Sequence, residues 1–137
     1  MEDFVPFEIA KKLKEKGFKL ACIGHYEGDR FEYNTYDGYD INISYIARSY
    51  NDDNRFDEYT DLPVICQVLK WLREEKNIHI SPVLWGRGWY VDIQSFTKET
   101  DEDYVSYDVD NKFQSIDYET YEEAVIAGVN YCLENLI

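Results

Sequence analysis

An α+β fold is predicted, an antiparallel sheet of four or more strands with three helices packed on it, in the order α-β-β-β-α-β-β-(β)-α. Three observations predict it. Three segments carry apolar residues at helical spacing, each with a start or stop signal. Between them lie short runs that alternate apolar and polar residues. The joins between those runs are of hairpin length.

The first helix is expected from Pro6 to Lys16. Proline is tolerated in a first helical turn, where its missing N–H would have no partner anyway. Ile9, Ala10 and Leu13 form one face. Gly17 supplies the left-handed residue of a Schellman ending, and Phe18 folds back onto Leu13. A β-region follows. Leu20 to Tyr26 reads as a strand, Glu27-Gly28-Asp29-Arg30 as a turn, and Phe31 to Thr35 as an alternating strand. Asp37-Gly38 signals a second hairpin, after which Tyr39, Ile41, Ile43 and Tyr45 alternate with polar residues. Arg48 to Tyr59 reads as an exposed loop.

The second helix is expected from Leu62 to Lys76, capped by Thr60 or Asp61, with Pro63 in its first turn and Leu62, Ile65, Leu69 and Leu72 as its main stripe. Asn77 ends it. Ile78 to Leu84 and Trp89 to Phe96 form a hairpin through Trp85-Gly86-Arg87-Gly88. Pro82 lacks a donor, which places its strand at an edge or a bulge. Lys98 to Asp103 reads as a charged loop and Tyr104 to Val109 as a short strand. The last helix has the sharpest start, Thr120 with Glu123 three residues on, a capping box. Tyr121, Val125, Gly128, Cys132 and Leu136 follow at helical spacing, and Gly128 within that stripe implies close approach of another backbone.

Length and composition bound the function. A chain of 137 residues is one domain by size and buries enough surface to need no staples. Its 13 tyrosines lift the aromatic share to 17%, which suits half-buried sheet faces and contact surfaces. The net charge of −14 argues against direct binding of a nucleic-acid backbone and against anionic membranes. Acid concentrates in two segments: Glu27 to Asp61 holds ten acids against three bases, and Lys98 to Glu123 holds ten against two. No run approaches the ~18 apolar residues of a membrane span. Met1 to Phe7 has no signal-peptide pattern, and three unpaired-looking cysteines suit a reducing compartment, so a cytoplasmic location is expected.

No residue set forms a convincing catalytic or metal centre. Cys22 and His25 have a zinc-compatible spacing, but no second pair accompanies them, and positions three apart in a strand face opposite ways. No nucleophile elbow follows Cys22. Asp101, Glu102 and Asp103, or Asp108 and Asp110, lack the calcium-loop pattern and read as solvated acids. His79 alternates with Ile78 and Ile80 and reads as a solvent-face residue. No cofactor is expected. The hairpin tip stands apart: Trp85, Arg87, Trp89 and Tyr90 are residue types enriched in binding hot spots, and they gather around two glycines. Trp85 is expected to be exposed. Trp89 is expected to be buried, because Val91 and Ile93 continue its face.

Three stretches also carry a resemblance. Phe4-Val5-Pro6-Phe7-Glu8-Ile9-Ala10 with Lys14-Glu15-Lys16-Gly17-Phe18, the run from Leu62 to Ile80, and Thr120-Tyr121-Glu122-Glu123-Ala124 together resemble a family of small uncharacterised proteins from Bacteroidales and their phages or mobile elements. Ala-Pro-Thr commonly precedes the second helix in that family. Leu62-Pro63-Val64 stands there in this chain, leaving the cap to Thr60 or Asp61. The resemblance implies a bacterial or phage cytosol and a compact helix-sheet fold, and it transfers no activity.

The expected function is that of a non-enzymatic acidic interaction protein whose partner is another protein, inhibiting a host or defence protein. A narrower form mimics nucleic-acid charge to occupy a basic groove. The rival expectation is a nucleotide binder that stacks a base on Trp85, Trp89 or Tyr90 and sets Arg87 on a phosphate.

Overall fold

Local signals set the first helix. In the computed structural model, which describes residues 4–34, 49–52, 58–95, 118–137 and the backbone of 105–108, α1 runs Phe7–Glu15 with Pro6 at its N-cap. Gly17 has φ +89°, the Phe18 N–H donates to Leu13 O at 2.9 Å, and the Gly17 N–H donates to Lys14 O at 3.2 Å. These are the two bonds of a Schellman ending. Phe18 is fully buried, as are Ala10 and Leu13.

The described chain is α+β, with three helices and antiparallel strands in the order α-β-β-β-α-β-β-β-α. It groups into two compact units, Met1–Gln67 and Val68–Ile137. In the first, β1 (Gly24–Glu27), β2 (Arg30–Tyr33) and β3 (Tyr59–Leu62) pair in the order β2-β1-β3, all antiparallel. Gly28 takes φ +62° at the first central position of the β1–β2 turn, the sign pattern of a type II′ hairpin.

β3 corrects the expected start of the second helix. Thr60 and Asp61 are not helix caps but buried strand residues, and α2 begins three residues late, at Ile65–Lys76. The reason is Pro63, whose ring pushes the preceding Leu62 into extended backbone. The cap is then supplied from inside the helix: Gln67 Oε1 accepts the Val64 N–H at 3.1 Å. Within α2 the buried residues are Leu72 of the expected main stripe and Val68 and Trp71, which widen it, while Ile65 and Leu69 are only partly buried. Asn77 ends α2 with φ 56°.

In the second unit, β4 (Ile78–Trp85), β5 (Gly88–Ser95) and β6 (Val105–Asp108) form an antiparallel sheet in the order β4-β5-β6. Among the described strands β4 is an edge, which accommodates Pro82. The β4–β5 turn holds only Gly86 and Arg87, and Gly86 has φ +62°. α3 (Tyr121–Asn135) opens on the expected capping box: Thr120 Oγ1 accepts the Glu123 N–H at 3.1 Å and Glu123 Oε2 accepts the Thr120 N–H at 3.3 Å. α3 packs on β4 and β5, burying Val125, Val129, Cys132 and Leu133 on its side and Ile80, Val91 and Ile93 on the sheet.

Each described sheet has three strands, not one sheet of four or more. The expected hairpin at Asp37-Gly38, the strand from Tyr39 to Tyr45 and the loop from Lys98 to Asp103 lie outside the described residues. No described helix is long and apolar enough to cross a membrane.

Candidate functional site: the β4–β5 hairpin tip

Strand alternation decides which tip residues share a face. Cross-strand partners point the same way, so Leu84 with Trp89 and Pro82 with Val91 face α3. Val83 with Tyr90 and Trp85 with Gly88 face the other side. The four residues nominated from sequence are therefore divided. Trp85 and Tyr90 share one face, diagonal across the short pair. Trp89 lies on the opposite face, and Arg87 occupies the turn itself, exposed.

Trp85 is 56% exposed, as expected for the outer tryptophan. Trp89 is half-buried rather than buried. Its backbone pairs with Tyr118 in both directions (2.8 and 3.2 Å), and its indole meets the Tyr121 ring edge-on at 5.4 Å. The strand face continued by Val91 and Ile93 does reach Trp89, but there α3 is only beginning and covers it with one ring. Leu84, which sequence reading did not single out, is 60% exposed. The signal was available: Leu84 immediately precedes Trp85, the last strand residue before the turn, so the two must take opposite faces.

The tip is thus apolar on both sides. Leu84, Trp89 and Tyr121 lie on one, Val83, Trp85 and Tyr90 on the other, with Arg87 at the apex. Between Lys76 and Lys98 the sequence has no other Lys or Arg, and Asp92 is the only acid.

A second cluster, unanticipated as a group, lies in the first unit. His25 is buried, with Tyr50 and Tyr59 rings at 4.6 and 4.8 Å. Asn34 Nδ2 donates to Cys22 O at 2.6 Å, so its Oδ1 accepts the Nδ1–H of His25 at 2.6 Å. Asp61, opposite His25 across β1 and β3, is fully buried. Its carboxylate accepts from Ser49 Oγ (2.7 Å), the Tyr50 N–H (2.7 Å) and the Asn51 N–H (3.2 Å). Burial raises its carboxyl above the usual range, and those hydrogen bonds and the neighbouring His25 pull it back only in part.

These residues tie segment 49–51 to the sheet. Every buried polar side-chain atom described has a partner, which is the arrangement of a structural clamp. Cys22 and His25 are linked through Asn34 and not to each other. The Cys22 thiol donates to Leu20 O at 3.3 Å, and burial, with the nearby Asp61 charge, holds it far above the usual thiol range. A nucleophilic thiol requires a shift in the other direction. Among the described residues no group of three or more His, Cys, Asp or Glu is placed to hold a metal ion. Asp101, Glu102, Asp103 and Asp110 fall outside the described residues, and His79 is exposed, 3.0 Å from Ser81 Oγ.

No family model, curated protein or solved structure matches the chain.

Proposed function

We propose that this chain is a small acidic interaction protein of a bacterium, phage or mobile element, without enzymatic activity, acting in the cytoplasm by binding and inhibiting another protein through the β4–β5 hairpin tip. The observation that carries the reading is the joint exposure of Leu84 and Trp85 beside Arg87. Large apolar side chains left in water at one hairpin tip favour a contact surface there, and Trp and Arg are the residue types that dominate binding energy at such surfaces. The two buried thiols, held in their neutral form, and the fully satisfied polar clamp around Asp61 support a structural rather than a catalytic use of the chain's reactive side chains. The resemblance of the three helical stretches supports the bacterial or phage setting.

The test is capture of a partner from the producing cell by the tagged full chain and by its Trp85→Ala/Arg87→Ala variant. The variant keeps the wild-type melting temperature and loses the partner. Equal capture by both would refute the tip as the contact. A nucleotide stacked on Trp85 and Tyr90 is the rival. A thermal-shift panel of nucleotides raises the melting temperature only if the rival holds.

A further inference from the structure

Leu84 and Trp85 are consecutive residues of one strand, so their side chains leave opposite faces of the hairpin, and they are the two most exposed large apolar side chains described. A flat partner surface covers one of them and leaves the other in water. Burying apolar surface stabilises by about 25 cal/mol per Å², and burying it on both sides needs a partner with two walls. Resting on the protein-contact reading above, we infer that the hairpin enters its partner end-on, as a plug in a cleft. The cleft has apolar walls about 10 Å from the hairpin backbone on either side, and an Asp or Glu carboxylate at its floor.

The floor follows from the apex. Arg87 is the leading residue, exposed in a two-residue turn, and no acid within the hairpin lies nearer than Asp92, five positions on. A guanidinium carried into a water-poor cleft is costly unless a carboxylate meets it, and the fork of Arg meets one through two parallel bonds. Gly86 and Gly88 on either side of Arg87 present no side chain to obstruct that approach. A second copy of this chain is a poor occupant, because each copy carries a net charge of −14 and the pair would repel. An acid-floored cleft with apolar walls is the form of many substrate-binding clefts, so a plug seated in one blocks substrate entry.

The experiment places a photo-crosslinking phenylalanine analogue at Leu84 and, separately, at Trp85 of the full chain in the producing cell. Both variants must first show the wild-type melting temperature. Both positions label the same protein, at peptides on two facing walls of one cleft. Arg87→Glu in either background lowers the yield about tenfold or more, while Arg87→Lys lowers it less. Labelling of that protein from one position only, or insensitivity to Arg87→Glu, overturns the plug and leaves the tip as a one-sided contact. No protein adduct from either position, a lipid adduct, or an adduct to a second copy overturns the plug and the protein-contact reading together.

Discussion

Gly128 of α3 lies so close to Val91 of β5 that a β-carbon on the glycine would stand 2.8 Å from Val91 Cγ2, and 3.0 Å from Ile80 Cγ2. The helix and the sheet of the second unit meet at this point. Glycine in a helix interior normally costs about 1 kcal/mol relative to alanine, so Gly128→Ala would stabilise an open position. Here the neighbours are stiff, β-branched and buried, and they cannot swing aside as a long flexible side chain would. Overpacking wins, and Gly128→Ala is expected to destabilise by about 1–3 kcal/mol in urea unfolding. A gain in stability would mean that the layers lie further apart.

The capping box at the start of α3 is expected to matter on a smaller scale. Thr120→Ala removes the acceptor of the Glu123 N–H and lowers stability by about 1 kcal/mol. Thr120→Ser keeps the oxygen and most of that stability. A denaturation midpoint unchanged in Thr120→Ala would show that the first turn frays without cost.

What the sequence made legible was local. The Schellman ending at Gly17, the capping box at Thr120 and Asn77 as a helix stop each follow from residues within one or two turns, whereas Gly128, expected to meet another backbone, meets the side chains of Val91 and Ile80 instead. The exposure of Trp85 follows from the hairpin alone. The less legible part depended on distant partners. β3 is a strand because it pairs with β1, and Asp61 is buried because Ser49, Tyr50 and Asn51 come to it. Leu62 ahead of Pro63 was the one local signal that the helix begins later. Leu84 was legible too, once its alternation with Trp85 is taken seriously.

Asp61 gives a pH prediction whose sign follows from its burial. Its carboxyl holds a proton to a higher pH when folded than when unfolded, because burial is the largest influence on it. The stability it contributes is therefore present below the ordinary carboxylate pKa, about 4, and is lost as pH rises through the folded value. Asp61→Asn removes this dependence. It also sets an amide NH2 either against the Tyr50 N–H or against the Ser49 hydroxyl and the Asn51 N–H, at a cost of about 1–3 kcal/mol. Unfolding midpoints of both proteins, taken from about pH 4 upward, should show the wild-type advantage shrinking with pH. An advantage that grows would mean that the hydrogen bonds from Ser49, Tyr50 and Asn51 outweigh desolvation.

The three thiols should separate by burial. Cys66 is exposed, whereas Cys22 and Cys132 are buried, and burial pushes the Cys132 thiol up to about 12. A disulfide reagent at neutral pH should titrate one thiol fast in the native protein and all three after denaturation. Cys66→Ser should abolish the fast phase. A second fast thiol would place Cys22 or Cys132 at the surface.

The tryptophans allow the tip to be examined without any partner. Trp71 is 5% exposed, Trp89 is half-buried against Tyr121, and Trp85 is 56% exposed. A neutral quencher such as acrylamide reaches an indole only as far as solvent does, so most of the quenchable fluorescence should come from Trp85. Trp85→Phe should remove that component and leave stability within about 0.5 kcal/mol, since the indole packs little of its surface in the free chain. Trp89→Ala should behave differently. It removes the edge-on contact with Tyr121 and the half-buried area that joins the tip to α3, at a cost of about 1–3 kcal/mol. The two substitutions thus separate a side chain held for contact from one held for packing. If Trp85→Phe unfolds the chain, or leaves quenching unchanged, Trp85 is part of the core and the tip does not offer it to a partner.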